Sequence, residues 1–449
     1  MFKICIYCVA SLSIAIAPVY ANGVNSLANA IELAIANDPW LNQNQSLQDA
    51  QLNQSIAANT LPDPRISFGL MNLPVDSWQL DQEAMTQITI GVSQMFARGN
   101  TLSLEQQKLI EQASQQPLLR QNRKAYVKRL ITRIWLEGYR ANKTISLINR
   151  DKVLFDQLLE ISQSSYGTTQ GNTRQQDIIS AQLELIKLED RLLIEQQKLE
   201  QVFSQLSPWL LNSDIQQMSS DNHVLHVNYG NALPRLVLRY GDKIKNKALN
   251  NRALYEKLQF HPLMHVETYK QAAARQDVSI MNEKYKPQWG VSASYGIRDD
   301  DQLGDSRADF FSIGVSVDMP IFTENKQDKL VRAAISRAEA VETDRVLLLR
   351  KLTSNVQTAM TQLHRLKERY SLYEKQIMQK TIEQAESALT AYTNDNGDFT
   401  DVIRARIAKL DTDIARLDIS VKALQVTADL NYYFTKYEPV DTKQLAVGG

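Results

Sequence analysis

Histidine and methionine are the residues in this chain whose spacing could do chemistry. His223-x-x-His226 and His261-x-x-x-His265 could each turn two imidazoles toward one ion. Neither pair has a third ligand near in sequence, so no metal site is assigned, and His261 and His265 stand only as weak candidates for zinc or copper. Met71, Met85, Met95, Met281 and Met319 could line a soft, copper-binding path, but several fall on strand faces, where packing is the expected role. No phosphate loop, nucleophile elbow or dinucleotide fingerprint occurs. The expectation is a protein with no catalytic residues and no cofactor.

Residues of this kind need elements to hold them, and the clearest element is Asp309–Phe322. Phe311, Ile313, Val315, Val317 and Met319 alternate with Ser312, Gly314, Ser316 and Asp318. Large apolar groups on one face and small polar groups on the other are the pattern of a membrane β-barrel strand. Pro320 has no N–H to give a sheet and ends the pairing. From Thr323 to Asn396 there is neither glycine nor proline, so the strand runs into a very long helix. At ~1.5 Å per residue that helix could reach on the order of 100 Å.

The same junction occurs twice. Pro39 and Pro262 are 223 positions apart, as are Pro64 and Pro287, and Ile90-Gly91-Val92-Ser93 returns 223 positions later as Ile313-Gly314-Val315-Ser316. Asp177-Ile178-Ile179 answers Asp401-Val402-Ile403 at an offset of 224. The chain is a tandem duplication. The expected organisation is a first repeat over 22–207, a linker over 208–247, a second repeat over 248–438 and a disordered tail over 439–449.

Within each repeat the plan is helix, two strands, long helical hairpin. Ala28–Asn59 reads as a helix interrupted near Asp38-Pro39, followed by strands over Arg65–Asn72 and Met85–Phe96. A long helical run follows to about Ser165, with irregularities expected at Pro117 and Gly138, and a turn over Gly167–Gly171 leads into Asp177–Leu206. In the second repeat Ala248–Lys286 is helical around His261-Pro262. Trp289, Val291, Ala293, Tyr295 and Ile297 then form the outward face of a third strand. The loop Arg298–Ala308 is rich in aspartate and must be solvated.

The helices carry seams of spacing 3 and 4, which is coiled-coil packing. They run through Ile403, Ile407, Leu410, Ile414, Leu417, Val421, Leu424 and Ala428, and through Ala181, Leu185, Leu188, Leu192, Leu199, Val202 and Leu206, with Glu195 the polar intrusion. Leu348, Leu352, Val356, Ala359, Leu363, Leu366, Tyr370, Tyr373 and Ile377 continue the theme. Four strands cannot close a barrel, whose smallest membrane forms have ~8. Open edges in lipid would leave backbone groups unpaired, so the chain must oligomerise to close its sheet.

The N-terminus reads as a signal peptide over residues 1–21: Lys3, an apolar Ile4–Ala17 core, and a small-x-small site at Val19-Tyr20-Ala21. Both cysteines, Cys5 and Cys8, lie inside it, so cleavage leaves no disulfide, thiolate site or lipid anchor. The formal net charge of +0 gives no sign of a nucleic-acid partner.

With its duplicated halves, the phrase Pro287-Gln288-Trp289-Gly290-Val291-Ser292-Ala293-Ser294-Tyr295-Gly296 and Pro320-Ile321-Phe322, the mature chain resembles the TolC-type outer-membrane efflux family. The segment Ile66–Phe96 is more similar to its heavy-metal efflux branch. The resemblance implies an α+β membrane protein. Three copies would supply a trimeric 12-stranded β-barrel, four strands per chain, continuous with a long antiparallel α-helical barrel in the periplasm. It also implies a periplasmic adaptor and an inner-membrane pump of the resistance–nodulation–division type as partners. The hairpin tips, near Tyr166–Asp177 and Tyr392–Asp401, would form the periplasmic gate. Asp401 matches a carboxylate of the family's cation-attracting ring, while Arg404 stands where a second is often found. Tyr392 matches the gate tyrosine, and Gly397 replaces its arginine partner. Asp395 and Asp398 add charge. The same acids suit helix capping: Asp398 sits at an N-cap, and Asp177 and Asp401 sit in first turns. The two roles are compatible.

The expected function is therefore a passive exit duct of a tripartite efflux pump in the outer membrane of a Gram-negative bacterium, with heavy-metal cations as favoured cargo. A self-standing porin, a drug or type I secretion exit channel, and a coiled-coil envelope scaffold are the alternatives.

Overall fold

The four strands pair in sequence order, each antiparallel to the next, to give one sheet β1-β2-β3-β4. In the computed structural model, which describes residues 24–166, 175–211, 227–239, 251–394 and 396–439, they are β1 (Arg65–Met71), β2 (Gln87–Met95), β3 (Gln288–Ile297) and β4 (Phe310–Asp318). The register aligns the two repeats row by row. Phe68 stands opposite Ile90, Ile90 opposite Tyr295, and Tyr295 opposite Phe311; Ile66, Val92, Ala293 and Ile313 form the next row. Because side chains alternate at every residue, these rows put most of the large apolar groups on one face, with Met71, Met95 and Phe310 on the other. The apolar face is uncovered: Phe68 is 77% exposed and Ile313 70%. The opposite face carries the row Ser67, Gly91, Ser294 and Ser312. The paired part of the last strand is shorter than Asp309–Phe322, since Met319 and Pro320 already lie beyond it.

The helices are α1 (Leu27–Ala36), α2 (Pro39–Ala58), α3 (Thr101–Tyr166), α4 (Gln175–Leu210), α5 (Asn251–Leu258), α6 (Pro262–Glu283), α7 (Gln327–Leu372), α8 (Met378–Thr393) and α9 (Phe399–Tyr433). Two breaks have the same construction in both repeats. Asp38 caps α2 by accepting from the Trp40 N–H at 3.2 Å, and His261 caps α6 by accepting from the Leu263 N–H at 3.2 Å. Each is followed by proline at the first helical position, where the missing N–H costs nothing.

Three expectations about the helices are corrected. The run from Thr323 is not one uninterrupted α-helix, because a π-helical turn over Tyr373–Ile377 separates α7 from α8. Pro117 and Gly138 do not break α3, which is continuous for 66 residues. Gly138 is small for another reason: a Cβ there would lie 2.4 Å from the Tyr229 ring. Likewise Pro208 does not end α4, which reaches Leu210. No helix among the described residues is long and apolar enough to cross a membrane.

The chain divides into two compact units. One comprises residues 38–130, 236–377 and 418–439 and holds the sheet. Its apolar core joins Leu254, Leu258 and Met264 to Leu352, Val356, Ala359 and Leu363 of the expected α7 seam, and to Val426, Leu430 and Phe434. The other comprises 24–37, 131–235 and 378–417 and holds the hairpin tips. Here Tyr229 lies against Trp135 with centroids 5.0 Å apart, and burial pushes its phenol up to about 12. Glu195, the polar residue in the α4 seam, is buried with its carboxylate 3.1 Å from the buried Arg140 guanidinium. The expected signal peptide and C-terminal tail, the turn over Gly167–Gly171 and much of the linker lie outside the described residues.

Candidate functional site

The site is the tip of the second hairpin, built from the end of α8 and the start of α9. Helix α8 closes with the Asn394 N–H donating to the Thr390 carbonyl and the Asn396 N–H donating to the Ala391 carbonyl at 2.9 Å. Gly397 follows. A Cβ at this position would stand 2.8 Å from the Tyr392 backbone nitrogen and 2.9 Å from the Ala391 carbonyl carbon, so a larger residue would push the turn off the helix end. Asp398 then opens α9: its carboxylate accepts from the Thr400 N–H at 3.0 Å, and its carbonyl accepts from the Asp401 N–H. The capping role expected of Asp398 is present.

Phe399, the first residue of α9, is the piece that sequence reasoning missed. It is 2% exposed, and its ring packs against Tyr392 with centroids 5.4 Å apart. The same cluster contains Ile148 and Phe155 of α3, Ala181 and Leu188 of α4, and Ile403 and Leu410 of α9. The second tip is thus anchored into the first hairpin by a buried aromatic residue. A signal was available: Phe399 precedes Ile403 by four and so extends the α9 seam by one step.

Charge is distributed around this core in pairs. Asp401 and Arg404, one turn apart and both exposed, stand 3.4 Å apart. Farther along, Arg150 contacts Asp413 at 3.3 Å, Arg191 contacts Asp411 at 2.6 Å, and Lys152 contacts Glu189 at 2.6 Å. Donation to the Asp151 carboxylate holds the Arg150 guanidinium above its usual range. An open cleft of about 270 Å³ lies among Asp151, Leu154, Phe155, Leu158, Arg406 and Lys409. Tyr392, Asp398, Asp401 and Arg404 are therefore brought together at one tip. Asp395 lies outside the described residues; Tyr166 ends α3 and Asp177 sits in the first turn of α4, with their side chains outside the described set.

The histidines do other work. His261 is 1% exposed, its Nδ1 is occupied by the cap, and burial pushes its pKa down to about 4. The His265 ring lies against Tyr437, and burial followed by the Arg345 charge lowers its pKa. Among the described residues no three His, Cys, Asp or Glu side chains come together as a metal cluster would require. His223 and His226 lie outside the described residues. Met71, Met85, Met95 and Met319 are exposed at separate points along the sheet and its ends.

The fold is a four-stranded antiparallel sheet, apolar and exposed on one face, run into long helical hairpins. Residues 253–431 match the family model described as outer membrane efflux protein. The fold is similar over nearly the whole chain to a membrane protein from Pseudomonas aeruginosa (TM-score 0.74, 13% identity, 92% of this chain and 91% of that one). It is similar to CusC (TM-score 0.73, 12% identity, 94% and 96%) and to the outer membrane protein VceC from Vibrio cholerae (TM-score 0.70, 15% identity, 92% and 97%). A search of curated protein sequences found no significant match. The chain thus shares its fold with these outer-membrane proteins, and its second half is similar to the outer membrane efflux proteins.

Proposed function

We propose that three copies of this chain form an outer-membrane exit duct of a tripartite efflux system, working with a periplasmic adaptor and an inner-membrane pump of the resistance–nodulation–division type. The observation that carries this reading is the sheet: one face is apolar and exposed, while among the described residues β1 and β4 each lack a neighbour on their outer edge. Joining β4 of one copy to β1 of the next satisfies those edges, and three copies give a closed wall of 12 strands with its apolar face to lipid. Cargo would move passively, drawn by the energy of the inner-membrane partner.

In this reading the tips are the periplasmic gate. Phe399 and Tyr392 hold the second hairpin against the first, and transport requires that contact to loosen. Asp401, with Asp398 and Asp395, supplies negative charge to an entrance ring, and Arg404 offsets part of it. The resemblance of Ile66–Phe96 to the heavy-metal branch supports metal cations as cargo.

Conductance of the purified mature protein in planar bilayers tests this. A trimer with small conductance, rising several-fold in Phe399→Ala, is the expected result. A wide-open pore in the wild type would mean a self-standing porin, and a monomer without conductance would leave only a helical scaffold. Survival of a deletion strain on copper, silver, zinc, cobalt and cadmium, against a panel of drugs, tests the cargo.

A further inference from the structure

The two repeats pack their upper helices by opposite chemistry. On α2 the buried positions fall at Asn44, Gln48 and Ser55, with Gln51 half-buried between them, a 4-3-4 seam made of polar side chains. A chain of hydrogen bonds runs up it from α3. Arg123 holds Asp38 at 2.7 Å, and Arg120 donates to the Asn44 and Gln48 side-chain oxygens at 2.8 and 2.5 Å. The Asn44 amide donates to Gln116 at 2.6 Å, and Gln116 donates to Gln51 at 3.1 Å. In the second repeat the equivalent helix α6 buries Met264, Val266, Ala273 and Ile280 together with Glu267, which pairs with Lys270 at 2.8 Å on its own helix, and Met264 joins the cluster of Leu352, Val356, Ala359 and Leu363 on α7.

These seams respond differently to water. Separating an apolar seam exposes hydrocarbon, whose cost grows with area. Separating a hydrogen-bonded polar seam exchanges its bonds for equivalent bonds to water, so the net cost is small. Polar seam residues fix register and lower stability at once. Here the register is fixed at one end by the Asp38–Arg123 pair, while the other end leads through Pro62 and Pro64 into β1, the sheet's edge strand.

We propose that the α2–α3 seam is the yielding seam of the helical region: it opens and recloses by hydration while the α6–α7 seam stays shut, and α2 is the stave that shifts as the protein works. The second clause rests on the duct reading above; the first does not.

Hydrogen exchange on the full mature chain in detergent, read by mass spectrometry, tests the seam. Amides of α2 should exchange at least about tenfold faster than those of α6, although helices of 20 and 22 residues would by length alone exchange at similar rates. The quadruple variant Asn44→Leu/Gln48→Leu/Gln116→Leu/Arg120→Leu, which removes the network together with its cation, should bring α2 to the α6 rate and reduce bilayer conductance. Equal protection of α2 and α6 in the wild type would overturn the proposal, as would a folded variant whose α2 still exchanges at the wild-type rate. A variant that protects α2 yet conducts like the wild type would remove α2 from the working motion. Absence of any conductance from the wild type would count against the duct reading alone.

Discussion

Tyr229 and Gly138 fit as ring and notch: the tyrosine ring occupies the space that a Cβ on Gly138 would need, 2.4 Å from where that atom would stand. The contact pins the segment between the repeats to the middle of α3. Gly138→Ala should therefore destabilise the protein by ~1–3 kcal/mol, the usual cost of overpacking, although alanine is the better helix former. In thermal melts Gly138→Ala/Tyr229→Ala should fall less than the two single changes added together. Strict additivity would show that the notch is incidental.

In the proposed duct, tip closure should depend on a large apolar group at position 399. Phe399→Ala removes a buried ring, and Phe399→Leu keeps most of the apolar volume. The first should raise resting conductance several-fold and the second should change it little. If both variants conduct alike, tip closure does not run through this contact.

The ion pair in the α4 seam makes a sharper test of what polar seam residues do. Glu195→Ala takes a buried carboxylate from the buried Arg140, and breaking a buried pair costs ~3–5 kcal/mol. The double change Glu195→Leu/Arg140→Met should recover most of that loss, because apolar residues of similar volume replace such pairs at little cost. Chemical denaturation of the three proteins gives the comparison; a double variant as unstable as Glu195→Ala would contradict it.

His261 should make stability depend on pH. Its folded-state pKa lies at about 4, below an unfolded value of 6.5, so between these values the unfolded chain binds more protons. Stability from this residue is complete above pH 6.5 and declines as pH falls toward 4, by on the order of 3 kcal/mol. His261→Asn retains an N-cap oxygen without a titrating ring. Its melting temperature should fall less than the wild type's between pH 7 and pH 4.5, and parallel curves for the two proteins would refute the assignment.

How far each of these features could be read from sequence depends on how local its cause is. The apolar face of β4 was legible because alternation at Phe311, Ile313, Val315 and Val317 is a period-2 signal contained in one strand. The duplication supplied the same face for the others. Seam residues such as Ile403 and Leu410 were legible from their spacing, and both are in the core. Asp398 could be placed at its cap by residue type alone. Phe399 was passed over because it sits where a solvent-facing turn was expected, and only its spacing to Ile403 marks it. Gly138 read as a kink because its partner, Tyr229, is remote in sequence. The polar seam of α2 escaped notice because a search for apolar periodicity skips asparagine and glutamine, even when they keep the same 4-3-4 positions.

The two bare flanks of the sheet have a consequence for the cell. If the chain works as the proposed trimeric duct, an exported copy that has met no siblings displays two rows of unclaimed amide and carbonyl groups beside a greasy surface, and strands of that kind add to whatever strand they meet. Overproduction without matching insertion should therefore yield insoluble periplasmic aggregate. The supply of this polypeptide must keep pace with the machinery that receives it.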